Sequence, residues 1–434
     1  MKAVIYVLTI LSILCSTLTQ AALLNIVPQS VEAEAWTILD PQSGQIIAEH
    51  NSHVQRAPAS MTKMMVAYIA FKEIEAGRLS LNEIITATSV VNTVQWDESQ
   101  MYLKPTETIS VDQLLAGLIV MSANDAAVTL AERISGSVPA FVQRMNKEAQ
   151  ALGMKETHFS NPAGITMDDH LSSAYDMALL GQAVTKQTPE YLRYSIMPSF
   201  SYNQRFHHAT NLALKTDPSV DGLKTGFTRA AGYNLTLTAH RPTADLNAPN
   251  RRLIVVVMGA KSAQKRAEIA ETLLNLAYTY TRNEVAIKEK QTIADIPVIK
   301  STLKLFKVTA TEPKYVTTSL YNQIYAIDLA TYDKVNNRVM LNTGNGTIQQ
   351  IEPLTQTNTH YDVKVNAQEI IAPIAKVMQL ATVQVYQNNV LINTLHLNQD
   401  VQVEEANIFQ KIIMWFSSLF SSDANKVKVY PLQS

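Results

Sequence analysis

Cysteine is almost missing from this chain of 434 residues, and its one cysteine, Cys15, lies in an apolar stretch at the N-terminus. A chain that loses this stretch on export has no thiol left to mispair, so it must be stabilised by its core rather than by disulfides. An excess of charge is missing as well. The chain has 36 lysine and arginine residues against 37 aspartate and glutamate residues, a formal net charge of −1, which leaves no basic surface for nucleic acid.

The first 21 residues have the layout of a signal peptide. Lys2 is the positive start, residues 3–14 are the apolar stretch, and Thr19-Gln20-Ala21 is a small-residue cleavage site. The apolar stretch is too short to cross a bilayer, which favours a removed signal over a membrane anchor. Leu14 stands before Cys15 where a lipoprotein signal has a small residue. We therefore expect residues 1–21 to be a signal peptide and the mature protein to be exported.

A serine and a lysine three residues apart are the first indication of chemistry. Pro58 suits the first turn of a helix, and the apolar residues at 64–71 predict a mostly buried helix after it. On such a helix Ser60 and Lys63 share one face, so the amine can reach the hydroxyl. A serine beside a base whose pKa is lowered by burial can act as a nucleophile. Taken alone, however, a serine near a helix start is more often a cap.

Two further motifs follow in order and strengthen this interpretation. Ser122-Ala123-Asn124 lies between two helical patterns, 111–120 and 126–134, and can present a second hydroxyl and an amide to one cleft. Lys224-Thr225-Gly226 precedes two strand-like runs. On a strand edge it offers a cation, a hydroxyl and a glycine that lets substrate approach the backbone. Either triplet alone means little, but the three motifs in this order strongly indicate a nucleophilic serine site.

The three motifs resemble those of the serine-type D-alanyl-D-alanine carboxypeptidases of low molecular mass, the type-5 group of penicillin-binding proteins. The resemblance covers nearly the whole chain, including a smaller C-terminal domain and a terminal helix. Five further segments carry it: Leu103-Lys104-Pro105, Thr157-His158-Phe159, Ser172-Ser173-Ala174, Asp176-Met177-Ala178 and Ala231-Gly232-Tyr233-Asn234.

The resemblance implies a catalytic role for five motif residues. Ser60 would be the acylated nucleophile, attacking the carbonyl between two terminal D-alanines, with Lys63 as its general base. Ser122 would relay a proton toward the departing amine, and Lys224 would hold and polarise Ser122. Asn124 would position Lys63 or the substrate amide.

Substrate recognition is implied in the same way. The backbone N–H groups of Ser60 and Phe227 would form the oxyanion hole, next to Gly226. Thr225 would bind the substrate carboxylate, and Arg266 aligns with an arginine of the family that assists. Phe227 is a departure, because some relatives carry histidine there. This change puts substrate preference and rate in doubt rather than the reaction.

The resemblance also implies cofactors, partners and location. No metal or organic cofactor is expected. The expected partners are peptidoglycan pentapeptide stems, β-lactam antibiotics and a membrane surface. The expected location is the periplasmic face of the bacterial cytoplasmic membrane.

The order of the predicted elements indicates an α+β fold. Residues 29–282 would form the catalytic domain, an antiparallel sheet with helices on its face, which matches the β-lactamase-like fold that the resemblance implies. The predicted strands are Ala35–Asp40 and Gln45–His50, joined through Pro41 and Gly44, then 233–238 and 253–258. Besides the motif helices, the predicted helices are 138–152, 175–186 and 265–279.

Residues 283–404 would form a second, β-rich domain. The strand-like runs are 298–308, 324–329, 338–341, 361–365 and 382–396, with turn residues at Asn345-Gly346 and Asn388-Asn389. The sequence of this domain contains no nucleophile or metal cluster. We therefore expect a structural role, as a stalk or docking surface.

Residues 405–421 predict an amphipathic helix. The apolar side chains of one face are Ile408, Phe409, Ile412, Ile413, Trp415, Phe416, Leu419 and Phe420. A core helix could show the same pattern. The aromatic content and the place near the chain end favour a helix that lies in a membrane interface, since it is too short to span. A terminal helix is also the membrane anchor of the type-5 group.

Three rival functions stay open at this point. A class A β-lactamase would share the fold and the first motif, but it needs a glutamate on a loop, and residues 159–175 contain none. An endopeptidase that cuts peptide cross-links could use the same scaffold. An inactive protein that binds the cell wall is disfavoured by the intact motif residues.

Three other polar groups have simpler interpretations. Asp168-Asp169-His170 could suggest a metal site, but acidic residues near one histidine are more often solvated or capping. His207-His208 is expected on the surface. Asp176 stands near a helix start, where a capping or dipole role is expected.

Overall fold

The structure, a computed structural model, describes residues 22–243, 250–322, 325–342, 348–418 and 426–432. The predicted signal peptide lies outside the described residues. The described chain forms a helix-covered sheet, then a β-rich part, then a short helix. This arrangement confirms the predicted α+β class.

The N-terminal part, residues 22–280, contains both strands and helices. Its strands are β1 (Ala35–Asp40), β2 (Gln45–His50), β3 (Ile84–Thr86), β4 (Thr108–Ser110), β5 (Ser199–Tyr202), β6 (Arg205–His208), β7 (Val220–Thr228), β8 (Gly232–Arg241) and β9 (Arg251–Ala260). Its α-helices are α1 (Lys63–Glu75), α2 (Val111–Ala116), α3 (Asn124–Ser135), α4 (Val138–Ala151), α5 (Ala174–Gln187), α6 (Leu192–Ser195) and α7 (Ala263–Tyr280).

One antiparallel sheet of five strands, in the order β2-β1-β9-β8-β7, is the middle layer of this part. The side chains at 253–258 in β9 are all fully buried, because helices cover both faces of the sheet. Val255 belongs to the core shared with α7, whereas the adjacent Val256 belongs to the core shared with α1 and α5. Strand β7 is left as one edge, where the third motif lies.

Local sequence decides where several helices begin. The serine side chains before α2, α4, α5 and α7 each accept a hydrogen bond from a backbone N–H three residues later: Ser110, Ser137, Ser173 and Ser262. Such caps satisfy backbone donors that have no partner within the helix. Gly136 ends α3 in the left-handed conformation, with a φ of 77°.

Most predicted elements of this part are present with small shifts of their ends. β1 and β2 have the predicted bounds, and β8 and β9 extend beyond the predicted strands because each pairs along most of its length with neighbours. The predicted helices 138–152, 175–186 and 265–279 correspond to α4, α5 and α7. The helix predicted at 111–120 is wrong in its second half. There α2 ends at Ala116, and Gly117–Met121 forms a π-helical turn.

The β-rich part, residues 281–403, consists of short sheets and one long hairpin. Its strands are β10 (Thr281–Ile287), β11 (Thr292–Ile299), β12 (Leu305–Thr309), β13 (Lys314–Ser319), β14 (Val339–Asn342), β15 (Ile348–Ile351), β16 (Thr359–Val365), β17 (Ile370–Ile371), β18 (Ile374–Gln387) and β19 (Val390–Val403). The turn predicted at Asn388-Asn389 is confirmed, since both residues have positive φ and join β18 to β19. The turn predicted at Asn345-Gly346 lies outside the described residues.

Two strand predictions in this part were wrong. The run 298–308 is two antiparallel strands, because the chain turns after Ile299 through Lys300, whose φ is 62°. The run 324–329 forms no strand in its described residues, 325–329. Ile327 instead makes an isolated bridge with Ile26 of the N-terminal part. Apolar character alone did not show where one strand ends and the next begins, nor that the buried Ile327 lies outside a strand.

Buried polar side chains tie the two parts together. Gln45 Nε2 donates to the carbonyl oxygens of Thr317 and Ile392, at 3.0 Å each, and its Oε1 accepts from the Thr317 N–H at 2.7 Å. Arg251 is buried and donates to Asp40 Oδ2 at 2.7 Å. It also donates to the carbonyl oxygen at the start of β10.

The C-terminal helix, α8 (Ile408–Ser418), is held by the β-rich part on both sides. Before it, the N–H of Ala406 donates to the carbonyl oxygen of Lys300 at 2.7 Å. After it, β20 (Lys428–Val429) pairs with β11, and the hydroxyl of Tyr430 donates to Asp295 Oδ2 at 2.7 Å. Of the predicted apolar face, Leu419 and Phe420 lie outside the described residues. Within the described ranges no helix has both the length and the apolar character needed to cross a bilayer.

Candidate active site

Ser60 lies in a 3-10 turn, Ala59–Thr62, that runs directly into α1. The α-helix therefore begins at Lys63, later than the position of Pro58 suggested. The turn still places both side chains on one side, because Lys63 Nζ donates to Ser60 Oγ at 3.0 Å. The structure thus brings together the predicted hydroxyl and amine.

Lys63 is fully buried, and its environment favours the neutral amine. Its Nζ also donates to the carbonyl oxygen of Ala163 at 2.5 Å. Burial holds the pKa of Lys63 well below its ordinary value, and the neighbouring Lys224 lowers it further, whereas the carboxylates of Glu98 and Asp125 oppose the shift. An amine with a lowered pKa is suited to accept a proton from the adjacent hydroxyl.

A loop at 161–165 packs directly on the turn that carries the serine. Gly164 has a φ of 86°, and a Cβ there would overlap the carbonyl group of Ala59. Asn161 Oδ1 holds the loop by accepting from the N–H groups of Gly164 at 2.7 Å and Ile165 at 3.0 Å. Sequence reasoning missed this loop, and its glycine is the one signal that could have pointed to it.

Ser122 and Asn124 stand at the junction between the π-helical turn and α3. Ser122 has a φ of 62°, and its Oγ is buried without a hydrogen-bond partner among the described residues. Asn124 is the first residue of α3 rather than a loop residue. The Oδ1 atom of Asn124 is buried and has no hydrogen-bond partner among the residues that the structure describes. Both polar atoms at this helix junction are therefore buried without a hydrogen-bond partner among the described residues.

Asn124 is held from outside the motif, by a residue that sequence reasoning missed. Its Nδ2 donates to Glu98 Oε2 at 2.6 Å, and its backbone N–H donates to the carbonyl oxygen of Ser99 at 2.7 Å. No spacing rule marked Glu98, because it lies in an irregular segment with no recognisable motif.

Lys224 is buried in β7, and its ammonium faces its own strand. Its Nζ donates to the carbonyl oxygen of Thr225 at 3.1 Å. Burial, with a smaller effect of Arg266, lowers the pKa of Lys224 to about 7. The predicted contact between Lys224 and Ser122 is absent, since Ser122 Oγ has no partner in the described ranges. The lysine therefore has no hydrogen bond to the second hydroxyl in this conformation.

Thr225 and Gly226 are both engaged with the protein itself. Thr225 Oγ1 is hydrogen-bonded to the Thr210 hydroxyl at 2.5 Å. A Cβ at Gly226 would lie 2.8 Å from the carbonyl oxygen of Pro58 and 3.1 Å from the Met61 nitrogen. The glycine was predicted to admit substrate. In the structure, the missing side chain of Gly226 lets the turn that carries Ser60 pack directly against β7.

Phe227 and Arg266 differ in how they face the cleft. Phe227 is 48% exposed and packs on Tyr233, with ring centroids 4.3 Å apart. Arg266 is buried, and its guanidinium donates to the carbonyl oxygens of Gly226, Asn234 and Thr210 at 3.0 to 3.3 Å. Arg266 therefore reaches the site through the backbone around Gly226, and burial lowers its pKa to about 10.

Asn234 is a second residue whose role in the site was not recognised. Its Nδ2 donates to the carbonyl oxygen of Ala57, and its Oδ1 accepts from the N–H of Gly259. The side chain thereby ties the segment before Ser60 to strands β8 and β9. The sequence contained this asparagine in one of the segments that carry the resemblance, but nothing in its spacing indicated the contact.

The remaining polar candidates have structural partners. His170 is buried, and burial lowers its pKa to about 4. Its Nδ1 accepts a hydrogen bond from the Ser160 N–H, so its Nε2 carries the proton and donates to Thr62 Oγ1 at 2.8 Å. Asp176 is buried, and burial raises its pKa to about 7. The Asp176 carboxylate accepts a hydrogen bond from the Thr157 hydroxyl. The helix cap that was predicted for Asp176 is made by Ser173 instead. Among the described residues no cluster of three potential ligands could hold a metal.

The comparisons with known proteins agree with this geometry. A family model described as D-alanyl-D-alanine carboxypeptidase, Peptidase S11, matches residues 22–262. The chain is 34% identical to the D-alanyl-D-alanine carboxypeptidase DacF of Bacillus subtilis over 291 residues, 65% of this chain and 71% of that one. It is 39% identical to DacD of Escherichia coli over 252 residues, 57% of this chain and 63% of that one.

The structural comparisons extend over more of the chain. Penicillin-binding protein 5 of Haemophilus influenzae superposes with a TM-score of 0.71 at 28% identity, covering 88% of this chain and 100% of that one. Penicillin-binding protein 6B of Escherichia coli gives a TM-score of 0.60 at 28% identity, covering 87% and 99%. The similarity in fold therefore includes the β-rich part.

Proposed function

The chain belongs to the D-alanyl-D-alanine carboxypeptidase family, and on this premise we propose that it removes the terminal D-alanine from peptidoglycan pentapeptide stems through an acyl-enzyme on Ser60. The observation that carries the proposal is the 3.0 Å contact between Lys63 Nζ and Ser60 Oγ. Because burial lowers the pKa of Lys63, the neutral amine is favoured and can take the proton of the hydroxyl.

In the first step Ser60 Oγ attacks the carbonyl carbon between the two terminal D-alanines, and its proton passes to Lys63. The carbonyl oxygen becomes an oxyanion, which the backbone N–H groups of Ser60 and Phe227 stabilise. The contact between Gly226 and Pro58 supports this assignment, because it holds β7 against the turn that carries the nucleophile.

In the second step the carbon–nitrogen bond breaks and the departing D-alanine amine needs a proton. Ser122 is the relay in this proposal, since its buried Oγ has no partner in the described ranges and is available to the amine. Lys224 stabilises the relay through its charge. Asn124 positions the substrate amide with the Oδ1 atom that is left without a partner in the described chain.

The free carboxylate of the substrate is recognised at β7. Thr225 presents its hydroxyl there, and Lys224 adds a buried amine next to it, which is a cation below about pH 7. Arg266 acts on this region through the carbonyl oxygens of Gly226 and Thr210, which it holds in place. We therefore assign Arg266 a positioning role and not a direct contact with the carboxylate.

Water completes the cycle by attacking the acyl-enzyme carbonyl. The carbon–oxygen bond to Ser60 breaks, the shortened peptide leaves, and the serine recovers its proton. Every group used is an amine, a hydroxyl, an amide or a backbone N–H, so the mechanism requires no metal or organic cofactor. β-Lactam antibiotics place a reactive carbonyl in the same position and acylate the same serine.

The proposal includes attachment to the periplasmic face of the cytoplasmic membrane through α8. Five apolar side chains of this helix are between 50% and 79% exposed: Ile408, Phe409, Ile412, Ile413 and Trp415. Such a face on a helix of this length is suited to lie in the lipid interface. Because the chain is held on both sides of α8, the helix would lie against the membrane close to the β-rich part.

The experiment is incubation of the purified protein with a pentapeptide that ends in D-Ala-D-Ala, followed by measurement of free D-alanine and peptide mass. Loss of one alanine, blocked by penicillin and by Ser60→Ala, is the expected result. Ser60→Ala should also abolish covalent penicillin labelling with little change in melting temperature. Labelling of the Ser60→Ala protein would reject Ser60 as nucleophile.

The same experiment separates the rival functions. Release of peptide from a cross-linked dimer, without release of alanine from the pentapeptide, would mean an endopeptidase. Rapid penicillin turnover without peptide cleavage would mean a β-lactamase. Neither cleavage nor labelling would mean an inactive scaffold.

A further inference from the structure

The carboxylate of Glu98 joins the segment before β4 to the second motif. Asn124 Nδ2 donates to Glu98 Oε2 at 2.6 Å, and the Asn124 N–H donates to the next carbonyl oxygen, that of Ser99, at 2.7 Å. The segment is itself turned back, because the Glu98 N–H donates to the carbonyl oxygen of Gln95. Side chain and backbone of Asn124 are thus both held by consecutive residues of one turn.

We propose that Glu98 is a positioning residue for acylation, which orients the Asn124 amide and acts by its charge on the Lys63–Ser60 pair. This inference rests on the proposed function of Ser60 as the acylated nucleophile. Glu98 itself touches neither of the reacting groups in this assignment.

The contact with Glu98 fixes the direction of the Asn124 amide. A carboxylate can only accept hydrogen bonds, so the amide nitrogen of Asn124 must face Glu98. The oxygen of the same planar group is then turned away from Glu98, and it is the buried atom that has no partner in the described ranges. Because of the contact with Glu98, Asn124 presents its acceptor, Oδ1, and not its donor, Nδ2, on the side that faces away from Glu98.

Glu98 also acts on Lys63 through its charge. The ionisable groups that act on Lys63 lie on different elements: Lys224 on β7, Glu98 in the turn and Asp125 on α3. The carboxylate of Asp125 already accepts from the N–H groups of Met101 and Leu103. His170, behind the Ser60 turn, is neutral near pH 7 because its pKa is lowered to about 4.

Glu98 favours the ammonium form of Lys63, and Lys224 opposes it. Removal of the Glu98 charge therefore lowers the pKa of Lys63. More of the base is then neutral at a given pH, and the acid limb of the acylation rate moves to lower pH.

The test uses two variants of Glu98 and one matched control. Glu98→Gln removes the charge and keeps a side-chain oxygen that can accept from Asn124. Glu98→Ala removes both. Asp97→Asn removes the same charge from the exposed neighbouring position of the turn. The second-order rate of acylation by a fluorescent penicillin is measured from pH 4 to pH 10, together with the melting temperature of each protein.

We expect Glu98→Gln to move the acid limb down by about half a pH unit or more, with a plateau close to that of the unmodified protein. Glu98→Ala should show the same shift and a plateau lower by about tenfold, because Asn124 loses its orientation. Asp97→Asn should leave limb and plateau unchanged.

Three results would overturn the inference. They are a pH profile of the acylation rate whose acid limb does not move in Glu98→Gln, an equal shift of that limb in Asp97→Asn, or an unchanged plateau rate in Glu98→Ala. Because Glu98→Gln is nearly isosteric, a loss of folding in Glu98→Ala alone would leave the charge test intact. Failure of the proposed function is a separate outcome, since it appears as labelling that persists in Ser60→Ala.

Discussion

Gly226 packs against the carbonyl oxygen of Pro58 so closely that a Cβ at position 226 would lie 2.8 Å from that oxygen. The contact joins β7 to the turn that carries Ser60. The two residues are 168 positions apart in the sequence. The spacing between the nucleophile and the strand that carries Lys224 and Thr225 is therefore set by the absence of one methyl group.

Gly226→Ala should consequently impair acylation more than it impairs stability. The added methyl group pushes β7 away from the turn, and misplacement by about 1 Å lowers rates by about 100-fold. The measurement is the acylation rate by fluorescent penicillin beside the melting temperature. Gly44→Ala is the control, since a Cβ there meets no atom within 4 Å although its φ is positive. An equal loss of acylation in both variants would show a general effect of destabilisation.

Lys224→Met should stabilise the fold in a pH-dependent way while it impairs catalysis. Burial, with a contribution from Arg266, lowers the pKa of Lys224 to about 7, so between pH 7 and about 10 the unfolded chain binds a proton that the folded chain lacks. Stability rises with pH across this window, and the lysine destabilises the fold most below pH 7. At about 1.4 kcal/mol per pKa unit, the effect has an upper limit on the order of 5 kcal/mol.

The measurement for this prediction is the melting temperature of Lys224→Met at pH 6 and at pH 10. The gain over the unmodified protein should be large at pH 6 and small at pH 10. Lys215→Met, at an exposed lysine, is the control and should show no such difference. An equal gain at both pH values would contradict the assignment of a buried, depressed amine.

Gln45→Ala should weaken the connection between the N-terminal part and the β-rich part. It removes this partner from the buried N–H and carbonyl of Thr317, at about 1–3 kcal/mol for each unsatisfied group. Calorimetry should show the β-rich part unfolding at a lower temperature than the rest. The exposed substitution Gln350→Ala serves as control. A single transition at the original temperature would mean that other contacts hold the two parts.

Charge on the apolar face of α8 should prevent attachment to membranes. Phe409→Glu and Ile413→Glu each place a carboxylate where a side chain is 79% or 67% exposed and apolar. Binding to vesicles of phosphatidylethanolamine and phosphatidylglycerol should fall by about tenfold or more, with acylation unchanged. Gln410→Glu adds the same charge on the polar face and should bind nearly as well. Equal loss in all three would indicate simple charge repulsion.

Much of the fold could be predicted from local patterns. The hairpin of β1 and β2 appears with its predicted bounds, because Pro41 and Gly44 mark the turn between two apolar strands. The strands predicted as 298–308 and 324–329 failed for two reasons that a period of two does not identify. The first run is interrupted by the turn through Lys300, and in the second the buried Ile327 makes only an isolated bridge with Ile26. Helix α2 stops early because the backbone changes to a π-helical turn at Gly117–Met121, which ends at Ser122 in the left-handed conformation.

The sequence by itself determined the order of the three motifs and the pairing of Ser60 with Lys63, since residues three apart meet in any helical turn. It also determined which residues could supply a nucleophile, a base and a cation. Only the tertiary structure decided that Glu98 holds Asn124. It also decided that Gly226 packs against Pro58, and that Arg266 acts through backbone carbonyls. These contacts join positions 26 to 168 residues apart, and no local spacing rule encodes them. The chemistry of the site was therefore readable in the chain, whereas its alignment depends on how the folded layers pack.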